Sequence, residues 1–160
     1  MLKFAASIAL STTILLSAAP AYAGGREIPN DLRRCQSGKG PAVKVEIQGL
    51  KEAIGKVRVQ SYRGTKDDWL KSGAWLNRIE VPVTAKSMTF CLPFNQAGEY
   101  AIAVRHDLNG NGKTDLTSDG GGMSNNPSIN IFNLGKPSYK KTKFAIGNEV
   151  KTISISMKYM

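Results

Sequence analysis

Asp107, Asn109, Asn111 and Asp115 stand at relative positions 1, 3, 5 and 9 of one short stretch, with Gly112 at position 6. Where a chain turns tightly back on itself, alternate side chains converge on a common centre, and all four of these carry oxygen. Calcium takes about six to eight oxygen ligands; a glycine at position 6 permits the sharp turn, and the backbone carbonyl at position 7, here that of Lys113, closes the arc. Position 12 is Ser118 rather than a bidentate Glu, with Asp119 one residue further on. The spacing predicts a weak calcium loop formed by Asp107, Asn109, Asn111, Lys113, Asp115 and Asp119, with a dissociation constant on the order of 10⁻⁴ to 10⁻³ M. The same residues support a metal-free reading, in which Asn and Asp form Asx-turns, Gly112 supplies a positive φ, and the loop is rigid without an ion.

His106, the single histidine, directly precedes this stretch. As a general base it needs a nucleophile or carboxylate within hydrogen-bond reach. Its neighbour Asp107 projects to the opposite face of a continuing strand, and Ser124 lies outside a Gly-x-Ser-x-Gly elbow. The favoured reading therefore treats His106, Gly112, Ser124, Asn125 and Asn126 as structural parts of the loop. A hydrolase using His106 with Asp107 or Asp115 is the alternative.

The elements that must position these residues are strands. Residues 42–49 and 54–62 alternate apolar and polar side chains, the period of a half-buried strand. Residues 78–83 are extended, with Pro82 placing them at a sheet edge. Residues 87–93 form the next run, and Tyr100 to His106 the strongest one. Residues 143–146 and 150–157 complete the series, while 66–71 suits one helical turn. Between the strands, residues 105–127 read as one long Gly/Asn/Asp loop with no apolar period, and loops of that length are functional or disordered more often than mere connectors. The expectation is an all-β, antiparallel β-sandwich of about seven strands, immunoglobulin- or transthyretin-like in kind. Trp69 and Trp75 flank the Ser72-Gly73 break and suit core packing better than a carbohydrate platform.

The N-terminus carries a basic Met1-Leu2-Lys3, an apolar run from Phe4 to Ala19 and an Ala21-Tyr22-Ala23 cleavage motif. It reads as a signal peptide over residues 1–23, followed by a basic flexible arm over 24–41 and a single domain over 42–160. The expected location is periplasmic or secreted, with no transmembrane segment in the mature chain. Loss of Lys3 takes the net charge from +10 to +9. That excess is read as a solvated basic surface; binding to an anionic polymer, an anionic surface or a cell-envelope partner is the further alternative. Basic residues never run beyond two in a row and no aromatics are interleaved among them, which argues against specific nucleic-acid binding. Cys35 and Cys91 are an even pair in an oxidising compartment, so one disulfide is expected, tying the arm to the domain.

Several of these segments taken together resemble the domain of unknown function 2141 family. They are Gly55–Val59, Gly98–Val104, the His106-Asp107-x-Asn109-x-Asn111-Gly112-Lys113-x-Asp115 run, Ser124-Asn125-Asn126 and Gly135–Tyr139. The resemblance covers about residues 42–159 and implies an exported bacterial β-sandwich with no established activity. The chain departs from the pattern at 116–121, where a longer Gly-Ile-Pro-x-Glu-like segment would stand, and the cysteine pair and basic arm are its own. The expectation for function is a non-enzymatic binding or accessory module whose 105–127 loop binds calcium, its one expected cofactor, and presents a ligand or partner surface.

Overall fold

A computed structural model describes residues 25–160, apart from the side chain of Ile131; the predicted signal segment lies outside the described residues. In chain order the strands are β1 (Arg26–Glu27), β2 (Ala42–Gln48), β3 (Lys56–Arg63), β4 (Asn77–Pro82), β5 (Ser87–Pro93), β6 (Gly98–Asp107), β7 (Gly120–Met123), β8 (Phe144–Ile146), β9 (Val150–Ser156) and β10 (Lys158–Tyr159). The single α-helix among the described residues, α1 (Tyr139–Thr142), is one turn long. A seven-stranded sheet runs in the order β1-β4-β3-β6-β7-β10, with β8 also paired to β6, and a three-stranded sheet runs β5-β2-β9.

The alternating runs explain how these sheets face each other. Val43, Val45 and Ile47 of β2 and Phe90 and Leu92 of β5 turn one way from the small sheet. They meet Val57 and Val59 of β3, Ile79 of β4, and Ile102 and Val104 of β6 in one core. Each such side chain contributes about 1.5–3 kcal/mol relative to remaining in water. No helix among the described residues is long and apolar enough to cross a membrane.

Two expectations need correction. The sheets are mixed rather than antiparallel throughout, since β2 lies parallel to β9, from Ala42 opposite Val150 to Gln48 opposite Ser156, and β1 lies parallel to β4. A parallel pair needs a long crossover, and here the crossover is almost the whole domain, which no local pattern reveals. The long loop is also shorter than it reads, because Gly120–Met123 form β7, paired to β6 with His106 opposite Gly120 and Ala103 opposite Met123. Its glycines serve close packing. A Cβ on Gly120 would sit 2.5 Å from the Tyr159 ring, and one on Gly122 would sit 2.7 Å from Ile155. Three consecutive glycines leave no apolar period to read.

The arm read as loose from its composition is held at several points. Ile28 donates to the Arg78 carbonyl at 2.8 Å. Asn30 gives its amide to the Thr89 carbonyl at 2.9 Å and takes the Cys91 N–H at 3.1 Å, so its side chain pairs with the free edge of β5 as a strand would. Cys35 and Cys91 are joined as a disulfide.

Candidate functional site

β6 presents His106 and Asp107 on opposite faces of its sheet. The period of two that points Ile102 and Val104 inward also points His106 inward, and it places Asp107 beside Arg105 on the outer face. Asp107 is 1% exposed. Its Oδ2 takes the Gly112 N–H at 2.8 Å and the Arg105 Nη2 at 3.2 Å, while its Oδ1 is buried and has no hydrogen-bond partner.

From there the loop closes on its own side chains. Asn109 Oδ1 takes the Asn111 N–H at 3.0 Å, and Asn111 Oδ1 takes the Lys113 N–H at 2.7 Å, which are two successive Asx-turns. The amide groups of Asn109 and Asn111 both donate to Asp115 Oδ2, at 2.9 and 2.8 Å. These two bonds lead the causes that hold the Asp115 carboxyl below the usual carboxylate range. Gly110 and Gly112 have φ of 69° and 78°, which a side chain would strain. Asp119 closes the arc from behind, with Oδ1 taking the Leu108 N–H at 3.2 Å and Oδ2 the Asp115 N–H at 3.0 Å. The structure thus brings Asp107, Asn109, Asn111, Lys113, Asp115 and Asp119 into one hydrogen-bonded loop. Among the described residues no three His, Cys, Asp or Glu side chains are grouped to hold a metal. A cation here would draw on amide and carbonyl oxygens as well as carboxylates. Asn presents both a donor and an acceptor, and a half-turn about its last bond exchanges them. The buried, unpartnered Asp107 Oδ1 fits such an ion, because an orphaned buried acceptor otherwise costs its full desolvation.

His106 is completely buried. Its Nδ1 lies 2.7 Å from the Tyr159 hydroxyl and its Nε2 2.9 Å from the Ile54 carbonyl. The Ile54 oxygen can only accept, so Nε2 carries the hydrogen and Nδ1 accepts from Tyr159. The Tyr159 oxygen in turn takes the Lys51 N–H at 2.8 Å. Burial pushes the Tyr159 hydroxyl up from its ordinary pKa. The imidazole therefore ties together the start of β3, the base of the loop and the chain end, with no ring nitrogen free. Tyr159 has no sequence motif around it, and nothing short of the fold points to it.

Ser124, Asn125 and Asn126 act as a second brace. Ser124 is fully buried; its hydroxyl donates to the Thr142 carbonyl at 2.6 Å and takes the Ile102 N–H at 3.0 Å. Asn125 and Asn126 both adopt positive φ, 64° and 47°, the left-handed region that Asn tolerates better than most residues. Asn125 donates to the Lys143 carbonyl at 2.9 Å. Asn126 donates to the Ser154 carbonyl at 3.0 Å and takes the Ser156 N–H at 2.8 Å, which occupies the free edge of β9. Trp69 is half-buried, edge-on to Tyr62 at 5.4 Å between centroids, and donates to the Pro137 carbonyl. Trp75 lies against the Arg78 guanidinium, 4.3 Å from the ring centroid.

No curated protein and no solved structure matches the chain. A family model described as "Uncharacterized protein conserved in bacteria (DUF2141)" matches residues 45–154, which takes in β3 to β8, most of β2 and β9, and the whole of the Asn/Asp loop. The chain belongs to the DUF2141 family.

Proposed function

We propose that this protein is an exported, non-enzymatic binding module whose Asp107–Asp119 loop takes a calcium ion and so sets the shape of the surface around it. The observation that carries the reading is Asp107. One of its oxygens is fixed by the Gly112 N–H, and the other is buried without a partner at the first position of a calcium-type spacing. Export is supported by the N-terminal sequence pattern and by the Cys35–Cys91 bond, which persists in oxidising compartments. The mature charge of +9 favours an anionic cell-envelope partner. His106, with both ring nitrogens engaged, lends the hydrolase alternative no support.

Calorimetric titration of the mature protein with calcium chloride tests the reading. Saturable binding at one site that Asp107→Ala abolishes is the expected result, and no heat up to 20 mM calcium overturns it. N-terminal sequencing of the mature protein is expected to begin at Gly24; an intact Met1 in the exported fraction would count against the signal reading.

A further inference from the structure

The outer face of the seven-stranded sheet, turned away from the core, holds a groove of about 480 Å³. Its floor is Arg58 and Gln60 of β3, Ala103 and Arg105 of β6, and Gly121, which lies opposite Arg105 and leaves room by having no side chain. Its walls are apolar, formed by Leu116 from the Asn/Asp loop, Ile129 and Leu134 from the turn before α1, Leu70, and Met160 at the chain end. A volume of this size falls within the range of about 300–1,000 Å³ typical of small-molecule sites.

Two sets of observations say what the groove takes. Leu134, Leu116 and Met160, which line the same groove, are 63%, 45% and 40% exposed, so large apolar side chains there face water. Leu70 and Leu134 also hold φ of 55° and 48°, a conformation costly for leucine, and both line the same groove. Strained backbone of this kind clusters at ligand sites. The charges are unequal in their availability. Glu80 is bound to Arg58 and Asp107 to Arg105, while Asp115 and Asp119 are engaged by Asn amides and backbone N–H groups. Lys136 and Lys158 form no ion pair among the described residues, and Arg105 Nε is buried with no acceptor. The charged lining is cationic on balance, with Arg58, Arg105, Lys136 and Lys158 against the carboxylates of Asp115 and Asp119.

We propose that this groove binds a single-chain anionic amphiphile, its carboxylate drawn to Arg105, Lys136 and Lys158 and its hydrocarbon chain laid along Leu116, Leu134 and Met160. The site stands on the groove alone and does not require calcium in the neighbouring loop. Titrations in EDTA with decanoate and with 1-decanol, both below aggregation, test it. Decanoate is expected to bind at one site and at least tenfold more tightly than decanol. Lys136→Glu with Lys158→Glu removes that preference and leaves decanol binding as it was. Leu134→Gly relieves the strained φ, so the melting temperature holds or rises while affinity for both probes falls by about tenfold, the loss expected for one leucine contact. Equal binding of the two probes, affinities unmoved by these variants, or binding to anionic vesicles without binding to decanoate would each overturn the proposal.

Discussion

Calcium should raise the melting temperature of the oxidised protein by an amount that follows from the loop's donor set. Asp107, Asn109, Asn111, Asp115 and the Lys113 carbonyl supply oxygens; those of Asn109 and Asn111 already take the Asn111 and Lys113 N–H groups, and both Asp119 oxygens take the Leu108 and Asp115 N–H groups. Two carboxylates without a bidentate twelfth position place the loop in the weak class, with a dissociation constant on the order of 10⁻⁴ to 10⁻³ M. Binding also requires the Asn109 and Asn111 amides to give up their bonds to Asp115, which pulls the affinity in the same direction. At 10 mM calcium, linkage then gives about 1.4 to 2.7 kcal/mol. A domain of this size unfolds with an entropy of about 0.3 kcal/mol per kelvin, so the midpoint should rise by about 5 to 9 °C. The assay is thermal unfolding followed by circular dichroism, in EDTA and then over a calcium series, with magnesium as control. A midpoint that stays fixed, or a rise that survives in Asp107→Ala, would refute the reasoning.

Tyr159→Phe removes the hydroxyl that serves both His106 Nδ1 and the Lys51 N–H; it should destabilise by about 1–3 kcal/mol, and denaturant unfolding showing under 0.5 kcal/mol would contradict the assigned bonds. Reduction of Cys35–Cys91, which closes a separation of 56 residues, should cost about 4 kcal/mol in the chain-entropy model, seen as a drop in the urea midpoint. Burial raises the hydroxyls of Tyr62, Tyr100 and Tyr159 above the ordinary tyrosine value. The unfolded chain therefore releases these protons first: their contribution to stability is full below pH 10 and is lost as pH climbs through the folded values. A spectrophotometric titration in which every tyrosine ionises at the free value would contradict this. Ser124→Ala leaves the buried Thr142 carbonyl without its hydroxyl donor and the Ile102 N–H without its acceptor, and should lower stability by about 1–3 kcal/mol in the same unfolding assay.

The period of two in β3 and β6 was enough to put His106 and Asp107 on opposite faces, and the 1-3-5-9 spacing was enough to mark the Asn/Asp loop as one unit. The cysteine count was enough to propose the bond that ties down the arm. β7 was not legible because Gly120, Gly121 and Gly122 carry no hydrophobicity, and their strand character is imposed by Tyr159 and Ile155 packing over them. The parallel pairing of β2 with β9 was hidden for another reason, since sequence period fixes which face is buried and says nothing of which distant strand lies alongside. The outer groove is a tertiary product, in which Leu70, Leu116, Leu134 and Met160 come from four separate segments.

The three-stranded sheet has two free edges, and each is met by one asparagine side chain posing as a strand, Asn30 on β5 and Asn126 on β9. An open edge is a template on which a second chain adds, so these two amides oppose self-association as much as they brace the fold. They are not equally secure. Asn126 sits on a tight turn within the domain, whereas Asn30 belongs to the arm that the disulfide holds. A chain whose cysteines are reduced would loosen the Asn30 plug and leave the Asn126 one, so the Cys35–Cys91 bond also guards the edge of β5 against the addition of a strand from outside.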